Sequence, residues 1–281
     1  MSQRWLITGS SRGLGRALAE AALAAGLRVV ATARDPRALA DLVEQYGDAV
    51  RTAALDVTDP QAAARAVALA VEAFGGLDVV VNNAGYGDIG SVEDTALEDF
   101  RKQIDANLFG AIIVTKAAIP VMREQRSGHF IQLSSVGGRL GAPGRAAYSA
   151  AKWAVEGFSE VLAQEMALVG VKVTIVEPGG FRTDFAGAST TLNAGRPEYD
   201  AVVGAAARRQ AQYDGRQPGD PKRAAQVLLA VAAMDEPPLR LPLGSDAVAA
   251  ISAADQRRLA ELERWGPLSA STDFDDPGPA S

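Results

Sequence analysis

Short apolar runs alternate with longer amphipathic or alanine-rich segments along most of this chain. The apolar runs predict strands at 5–7, 27–33, 50–55, 77–81, 130–133, 171–176 and 239–243. The segments between them predict helices at 16–25, 36–46, 60–74, 104–119, 147–168, 220–234 and 246–265. The nearly continuous apolar run at 77–81 is typical of a central parallel strand that is buried on both faces. Strands and helices that alternate without a linker predict one α/β domain.

A glycine-rich turn joins the first predicted strand to the first predicted helix. Glycines let the backbone approach a pyrophosphate, and the N-terminus of the helix offers free N–H groups and positive potential. The spacing differs from the usual Gly-x-Gly-x-x-Gly fingerprint, and an ordinary tight turn is the alternative. Because a strand and a helix flank the turn, we interpret it as a cofactor cradle formed by Gly9, Ser11, Arg12, Gly13, Leu14 and Gly15.

The end of the second predicted strand bears on which dinucleotide binds. An acidic residue there would hold the ribose hydroxyls of NAD, whereas an arginine would pair with the 2′-phosphate of NADP. Arg34 lies beside that position, and Arg12 could reach the same phosphate. Asp35 could be the ribose acid, or it could cap a helix that begins at Pro36. The two arginines favour NADP over NAD, and two solvated surface side chains are the alternative.

Asp56 and Val57 follow the third predicted strand. A carboxylate and a backbone amide at that place could hold an adenine ring. Asp56 or Thr58 could equally cap the helix that begins at Pro60.

Tyr148 and Lys152 are four residues apart in a predicted helix and therefore share one face of it. A phenol titrates near pH ~10, and a neighbouring ammonium favours the phenolate and lowers that pKa. A nearby serine hydroxyl, such as Ser135, could hydrogen-bond a carbonyl or alcohol oxygen. Together they could move a proton to or from an oxygen whose carbon exchanges a hydride. The chain has five tyrosines and five lysines, so the pair alone is weak evidence.

The joint pattern is more specific than any of its parts. Thr8-Gly9-x-x-x-Gly13-x-Gly15, Asn82-Asn83-Ala84-Gly85, Ser135 and Tyr148-x-x-x-Lys152 together resemble the classical short-chain dehydrogenase/reductases. The resemblance covers about residues 4 to 245. It implies a single doubly wound Rossmann-like domain with a parallel sheet of about seven strands and helices on both faces. The end of the last predicted strand is similar to the 17-beta-hydroxysteroid dehydrogenase-like subgroup.

The resemblance also implies an activity, the interconversion of a ketone or aldehyde and its alcohol with a nicotinamide cofactor. The catalytic residues it implies are Ser135 (with Ser134 as the fallback), Tyr148, Lys152 and Asn107, the last in a proton relay. Further cofactor contacts are implied for Asn83, Ala84, Gly85, Pro178, Gly179 and Thr183, besides Tyr148 and Lys152. An asparagine bonded only to backbone is the alternative for Asn107. The family also implies a homodimer or homotetramer.

We expect the domain to span 1–266, with a substrate loop at about 184–221 that contains a helical piece near 198–213. Residues 267–281 are small, polar and acidic, which indicates a loosely held tail. Phe181, Phe185 and Leu192 favour a hydrophobic substrate, although such residues more often pack.

Composition excludes several classes of function. The 281 residues are 48% hydrophobic and 22% charged, and a net charge of −6 without a basic run argues against nucleic-acid binding. The absence of cysteine excludes disulfides and thiol chemistry. The single histidine, His129, precedes an apolar run, so we expect a structural or surface role for it and no metal site.

Apolar runs of four to eight residues are too short to span a bilayer, and no signal peptide is visible. We therefore expect a cytoplasmic protein without a membrane partner. A non-catalytic NADP(H)-binding sensor or scaffold on the same fold is the alternative function. A nucleotide-sugar epimerase or dehydratase is disfavoured, because those relatives have a different glycine spacing and a larger C-terminal substrate domain.

Overall fold

The computed structural model describes residues 2–185, 190–193 and 195–274. The strands in these ranges are β1 (Arg4–Ile7), β2 (Arg28–Ala33), β3 (Val50–Ala54), β4 (Val79–Asn82), β5 (Gly128–Leu133), β6 (Val171–Pro178) and β7 (Arg240–Leu243). They form one sheet in the order β3-β2-β1-β4-β5-β6-β7, and every neighbouring pair is parallel. The predicted seven-stranded Rossmann-like architecture is confirmed.

The α-helices in the described ranges connect these strands. They are α1 (Gly13–Ala24), α2 (Ala40–Tyr46), α3 (Pro60–Phe74), α4 (Leu97–Ile104), α5 (Gly110–Gln125), α6 (Ala146–Ala167), α7 (Ala205–Tyr213), α8 (Pro221–Ala232) and α9 (Ser245–Ala270). Asp59 caps α3 and Asp220 caps α8, each with a proline in the first turn, as predicted for α8.

Two apolar layers cover the two faces of the sheet. Successive residues of β1 face opposite sides, because side chains alternate along a strand. Trp5 packs with buried residues of α1, α2 and α8, whereas Leu6 packs with those of α3, α5 and α6. Every residue of β4 is buried, as expected for a central parallel strand.

The largest departure from prediction is a continuous helical stretch, Leu97–Gln125, around the segment predicted at 104–119. It comprises α4, a π-helical turn (Asp105–Phe109) and α5. By length and composition it could cross a membrane, so the expectation that no segment was long enough is wrong. Polar residues interrupt its apolar pattern, which hides the full length from inspection of apolar runs. Val114, Ala118 and Met122 nevertheless face the core of the domain and are fully buried.

The C-terminal part also differs from prediction. Helix α9 continues to Ala270 and contains Pro267, so it passes the predicted start of the tail. Residues 275–281 of that tail lie outside the described ranges. The helical piece predicted near 198–213 is present as two short helical turns over 197–204 followed by α7.

His129 has the structural role predicted for it. It is 3% exposed, and its Nε2 lies 2.9 Å from the hydroxyl of Thr174 on the neighbouring strand. Burial lowers the pKa of His129 to about 4, so the imidazole is neutral at ordinary pH.

Candidate active site

A cleft of about 1080 Å³ opens at the carboxyl edge of the sheet. The strand order reverses between β1 and β4, and open α/β sheets bind ligands at such a point. Most residues predicted for the site line this cleft: Gly9, Ser11, Arg12, Gly13, Leu14, Arg34, Asp56, Val57, Asn83, Ala84, Gly85, Asn107, Ser135, Tyr148, Lys152, Pro178, Gly179 and Thr183. The folded chain therefore gathers residues that are far apart in sequence.

The glycine-rich turn forms a backbone cradle at one end of the cleft. Gly9 and Gly13 have φ of +70° and +62°, values that side-chain-bearing residues rarely adopt. A Cβ on Gly9 would lie 3.1 Å from the Cα of Ala84 and would fill the cradle. The hydroxyl of Thr8 accepts the N–H groups of Asn83 and Ala84 at 2.9 and 3.0 Å. This glycine-lined backbone cradle before α1 fits a dinucleotide pyrophosphate.

Gly15 does not line the cleft, so its predicted place among the cofactor contacts is not supported. It is buried at the start of α1, and a Cβ there would collide with the side-chain amide of Asn83 and the carbonyl of Gly9. That amide donates to the carbonyl oxygens of Thr8 and Gly9 at 2.8 and 3.2 Å. Gly15 thus allows the packing that holds the cradle in shape.

The structure decides between the two interpretations of Asp35. Its carboxylate caps the short helix over 36–39 by accepting the N–H of Arg37 at 3.0 Å. It also pairs with the Arg37 guanidinium at 2.8 Å, and it is not among the cleft-lining residues. Asp35 is therefore a helix cap. Arg12 and Arg34 are both exposed and both line the cleft.

The capping alternative for Asp56 and Thr58 is wrong, because the cap of α3 is Asp59, which accepts the N–H of Gln61 at 2.8 Å. The Asp56 carboxylate instead accepts the backbone N–H and the hydroxyl of Thr58, at 3.0 and 2.7 Å. These bonds lower the pKa of Asp56, so a carboxylate is fixed at the wall of the cleft.

Tyr148 lies on α6, 6% exposed, at the other end of the cleft. Its ring fits between two glycines: a Cβ on Gly87 would lie 2.7 Å from one side of it, and a Cβ on Gly137 3.1 Å from the other. The hydroxyl of Ser135 accepts the N–H of Gly137 at 3.0 Å, which leaves its own proton available to donate. Ser134 and Ser135 both line the cleft, but the Ser134 hydroxyl is buried and donates to the backbone carbonyl of Lys152 at 3.5 Å, whereas the Ser135 hydroxyl is hydrogen-bonded with the Tyr148 phenol.

Lys152 is buried on the same face of α6. Its ammonium donates to the carbonyl of Leu133 at 2.7 Å and lies 5.8 Å from the centroid of the Tyr148 ring. Burial lowers the pKa of Lys152 to about 8, while the Glu156 carboxylate opposes that shift.

The prediction that Lys152 lowers the pKa of Tyr148 is not confirmed. Burial raises the pKa of Tyr148, and the two groups that oppose the rise are the Ser135 hydroxyl and the Arg145 guanidinium. Lys152 is not among these groups, and its ammonium donates to the Leu133 carbonyl.

Asn107 lies in the π-helical turn between α4 and α5. Its amide nitrogen donates to the carbonyls of Tyr86 and Gln103 at 2.8 and 2.9 Å. Its side-chain oxygen is buried and has no hydrogen-bond partner among the described residues. A Cβ on Gly85 would meet that oxygen and would lie 3.7 Å from the Lys152 ammonium. Gly85 therefore keeps open the space between Asn107 and Lys152, and π-helical turns are frequent at functional sites.

The segment after β6 closes the cleft opposite the glycine-rich turn. The N–H of Gly179 donates to Leu243 at 2.9 Å, and the N–H of Gly180 donates to the Asp246 carboxylate at 2.7 Å. The side chain of Thr183 faces Gly13, since a Cβ on Gly13 would lie 3.6 Å from the Cβ of Thr183. The predicted Pro178–Thr183 segment is thus held at the cleft by β7 and the start of α9.

Sequence inspection missed several polar residues that line the cleft: Asp88, Arg145, Gln210, Tyr213, Gln217 and Asp246. Arg145 precedes Tyr148 by three residues, a helical spacing that could have revealed it. Asp246 lies in the first turn of α9, and the others come from connections and from α7, whose positions the sequence pattern does not define. Of the residues taken as hints of a hydrophobic substrate, Phe181 and Phe185 line the cleft, whereas Leu192 does not.

A family model described as short chain dehydrogenase matches residues 3–193. The chain belongs to the short-chain dehydrogenase family. It is 49% identical over 273 residues to Oxidoreductase BOA17 of Botryotinia fuckeliana (strain B05.10). The matched region covers 97% of this chain and 100% of that protein. The predicted family is confirmed, and membership supports an oxidoreductase. The 17-beta-hydroxysteroid dehydrogenase-like subgroup stays a prediction.

Solved structures agree with this assignment. A short-chain dehydrogenase from Streptomyces avermitilis is 41% identical, with a TM-score of 0.90 over 97% of this chain and 98% of that one. ElxO with NADP bound is 26% identical, with a TM-score of 0.74 over 89% of this chain and 100% of that one. A Burkholderia phymatum short chain dehydrogenase/reductase in complex with NAD shares the fold at 24% identity. Its TM-score is 0.79 over 89% of this chain and 92% of that one. All three structures share the fold of this chain.

Proposed function

We propose that this chain is an NADP-dependent oxidoreductase that interconverts a ketone or aldehyde and the corresponding alcohol. The observation that carries the proposal is the phenol of Tyr148, held beside the Ser135 hydroxyl in the cleft that also contains the glycine cradle. The cofactor, when bound, supplies or accepts the hydride. Gly9, Gly13 and the backbone around Ala84 hold its pyrophosphate, and Pro178, Gly179 and Thr183 hold its nicotinamide end.

The protein's own residues handle the proton and the carbonyl oxygen. Tyr148 donates a proton to that oxygen in reduction and accepts it in oxidation. Ser135 donates a hydrogen bond to the same oxygen, because accepting the N–H of Gly137 leaves its hydroxyl proton available. Lys152, with a pKa of about 8, is largely charged at neutral pH and holds the nicotinamide ribose. Asn107, across Gly85 from the ammonium, positions a water that links Lys152 to solvent.

The preference for NADP is based on three residues at the second strand and the glycine-rich turn. Arg12 and Arg34 line the cleft, where guanidinium groups can pair with a 2′-phosphate. Asp35, the acid that could have bound the ribose of NAD, is engaged by Arg37 as a helix cap. At that position the site therefore offers the cations of Arg12 and Arg34, while Asp35 is engaged elsewhere.

We further propose a hydrophobic substrate body, since the Phe185 ring packs against the Tyr148 ring with centroids 5.6 Å apart. We also propose a homodimer or homotetramer, because large apolar side chains are exposed on two helical segments. Phe109, between α4 and α5, is 48% exposed, and on α6 Trp153 is 45% and Val161 is 55% exposed. A cytoplasmic location, without nucleic-acid or membrane partners, belongs to the same proposal.

The test is a screen of ketones and aldehydes with NADPH and NADH in parallel, followed by the near-ultraviolet absorbance of the reduced nicotinamide. We expect turnover of at least one carbonyl, faster with NADPH, and a loss of that preference in Arg34→Ala. Faster turnover with NADH would overturn the interpretation of Arg12 and Arg34. NADPH binding without turnover of any carbonyl would favour the alternative, a non-catalytic sensor or scaffold.

A further inference from the structure

Arg145 places a positive charge in the cleft, and the only effect described for it so far is to oppose the rise in the pKa of Tyr148. It is half-buried at the start of α6, it lines the cleft, and its Cζ lies 5.8 Å from the centroid of the Tyr148 ring. One small molecule can therefore touch both the phenol and the guanidinium. Proton and hydride transfer at the carbonyl need no hydrogen bond from Arg145, so its donors are available to another group of the substrate.

The guanidinium has only part of its hydrogen-bonding capacity satisfied. Its Nη2 donates to the side-chain oxygen of Gln210 on α7 at 3.0 Å. Its Nη1 is buried and has no hydrogen-bond partner among the described residues. A buried donor on a charged group is costly when it is left unpaired, and native proteins retain few such groups without a reason.

The carboxylates nearby do not neutralise Arg145 by direct contact. Asp88 is the carboxylate whose charge raises the pKa of Arg145, yet the two side chains form no ion pair within 4 Å. The Asp88 carboxylate instead accepts the N–H of Thr191 at 2.8 Å. Burial lowers the pKa of Arg145, which agrees with a cation that lacks a close anion.

A second buried polar group that lines the same cleft is also unsatisfied. Gln217 is 1% exposed, and neither atom of its side-chain amide has a partner in the described part of the chain. An entirely apolar substrate would leave Nη1 of Arg145 and the Gln217 amide without partners. A substrate with a negatively charged end would provide an acceptor for Nη1 of Arg145.

We propose that Arg145 binds a carboxylate of the substrate, so that the chain interconverts an oxo acid and the corresponding hydroxy acid. This inference rests on the proposed function. Reduction consumes one reduced nicotinamide dinucleotide and one proton: the carbonyl carbon gains the hydride, and its oxygen gains the proton of Tyr148. The carboxylate is unchanged and serves to orient the molecule. The Phe185 side of the cleft accommodates the apolar body between the two polar ends.

The probes are linear eight-carbon oxo acids with the ketone moved along the chain, each compared with its methyl ester. We expect the best acid to exceed its ester in kcat/KM by at least about tenfold, since charge-assisted hydrogen bonds are the stronger kind. Arg145→Gln should lower kcat/KM for that acid by on the order of ten- to hundredfold, mainly through KM, and should change the ester by only a few fold. Arg145→Lys should restore part of the loss.

Gln210→Ala is the matched control, because it removes the partner of Nη2 and leaves the charge of Arg145 in place. It should keep the preference for the acid over the ester. Equal turnover of acids and esters by the unaltered chain, or an equal loss for both in Arg145→Gln, overturns the inference even if one variant fails to fold.

Calorimetric binding of the same acids, with NADP⁺ present, separates this inference from the proposed function. Binding of an acid that is weakened by Arg145→Gln, without turnover of any carbonyl, would support the carboxylate site and contradict the oxidoreductase. Turnover of neutral ketones alone, without binding of any acid, would support the oxidoreductase and contradict the carboxylate site. Neither binding nor turnover contradicts both.

Discussion

Arg240 on β7 holds together buried carboxylates behind the nicotinamide end of the cleft, and its replacement should destabilise the fold in a pH-dependent way. Its guanidinium pairs with Glu156 of α6, with Glu177 at 2.8 Å and with Glu160 at 2.6 Å. The side chain of Glu177 is fully buried and also accepts from Arg139 at 2.9 Å. Glu177 precedes Pro178, so this network anchors the segment that closes the cleft.

Arg240→Met keeps an apolar side chain of similar length and removes the charge. Breaking a buried ion pair by removing one partner costs about 3–5 kcal/mol. The Arg240 side chain is 27% exposed and Glu177 keeps Arg139, so we expect the lower part of that range or less, about 2–3 kcal/mol. Glu156 bears most of this cost, because its side chain is 6% exposed and Arg240 is its cationic partner.

The sign of the pH dependence follows from Glu156. Burial already raises its pKa above the usual 4.5, and Arg240 is one of the groups that oppose the rise. Without Arg240 the pKa in the folded state rises further above its value in the unfolded chain. The folded state then binds the proton more tightly, so the contribution of Glu156 to stability is present at low pH and is lost as the pH rises through the folded-state pKa. The penalty should be larger at about pH 8 than at about pH 5.

Urea unfolding, followed by circular dichroism at fixed protein concentration, measures this penalty at both pH values. Arg223→Met is the matched control, because Arg223 is 90% exposed and lies 3.8 Å from Asp220. Surface pairs of that kind contribute ~0–1 kcal/mol. A loss of stability in Arg240→Met no larger than in the control, or a penalty that shrinks as the pH rises, would refute the reasoning.

Two further predictions concern the glycine cradle and the buried histidine. Gly9→Ala should weaken NADPH binding by on the order of tenfold while the fold is retained. A φ of +70° costs a side-chain-bearing residue about 1–2 kcal/mol, and the new Cβ would lie 3.1 Å from the Cα of Ala84. An unchanged affinity for NADPH in calorimetry would contradict this prediction. His129→Gln should flatten the loss of stability between about pH 6.5 and about pH 4, because the unfolded chain protonates His129 in that window and the folded chain does not. Urea midpoints across that window should fall more for the unaltered chain than for the variant, and equal slopes would contradict the prediction.

The sheet and the cradle were predictable because short-range chemistry determines them. The run at 77–81 has too few polar residues for an exposed strand, and β4 is indeed central and buried. Pro60 and Pro221 act within the first turn of α3 and α8, which is why both helix starts could be placed to within a residue or two, although the cap of α3 is Asp59 and not Asp56 or Thr58.

Features that depend on packing across the fold were not predictable. Gly15 belongs to the same motif as Gly9, yet only the folded chain shows that it packs beneath the cradle instead of lining the cleft. The spacing of Tyr148 and Lys152 places them on one face of α6, but the carbonyl of Leu133, which engages the ammonium, comes from β5. The unpaired nitrogen of Arg145 likewise depends on where α7 lies.

The most direct test of the central claim, that the Tyr148 phenol moves the proton, is Tyr148→Phe. The ring fits between Gly87 and Gly137, so loss of the hydroxyl alone leaves its packing in place. On the best carbonyl found in the screen, we predict that turnover falls at least about a hundredfold, in line with general acid catalysis, while the Kd for NADPH stays within a few fold. Turnover near that of the unaltered chain would contradict the account, because another group would then supply the proton.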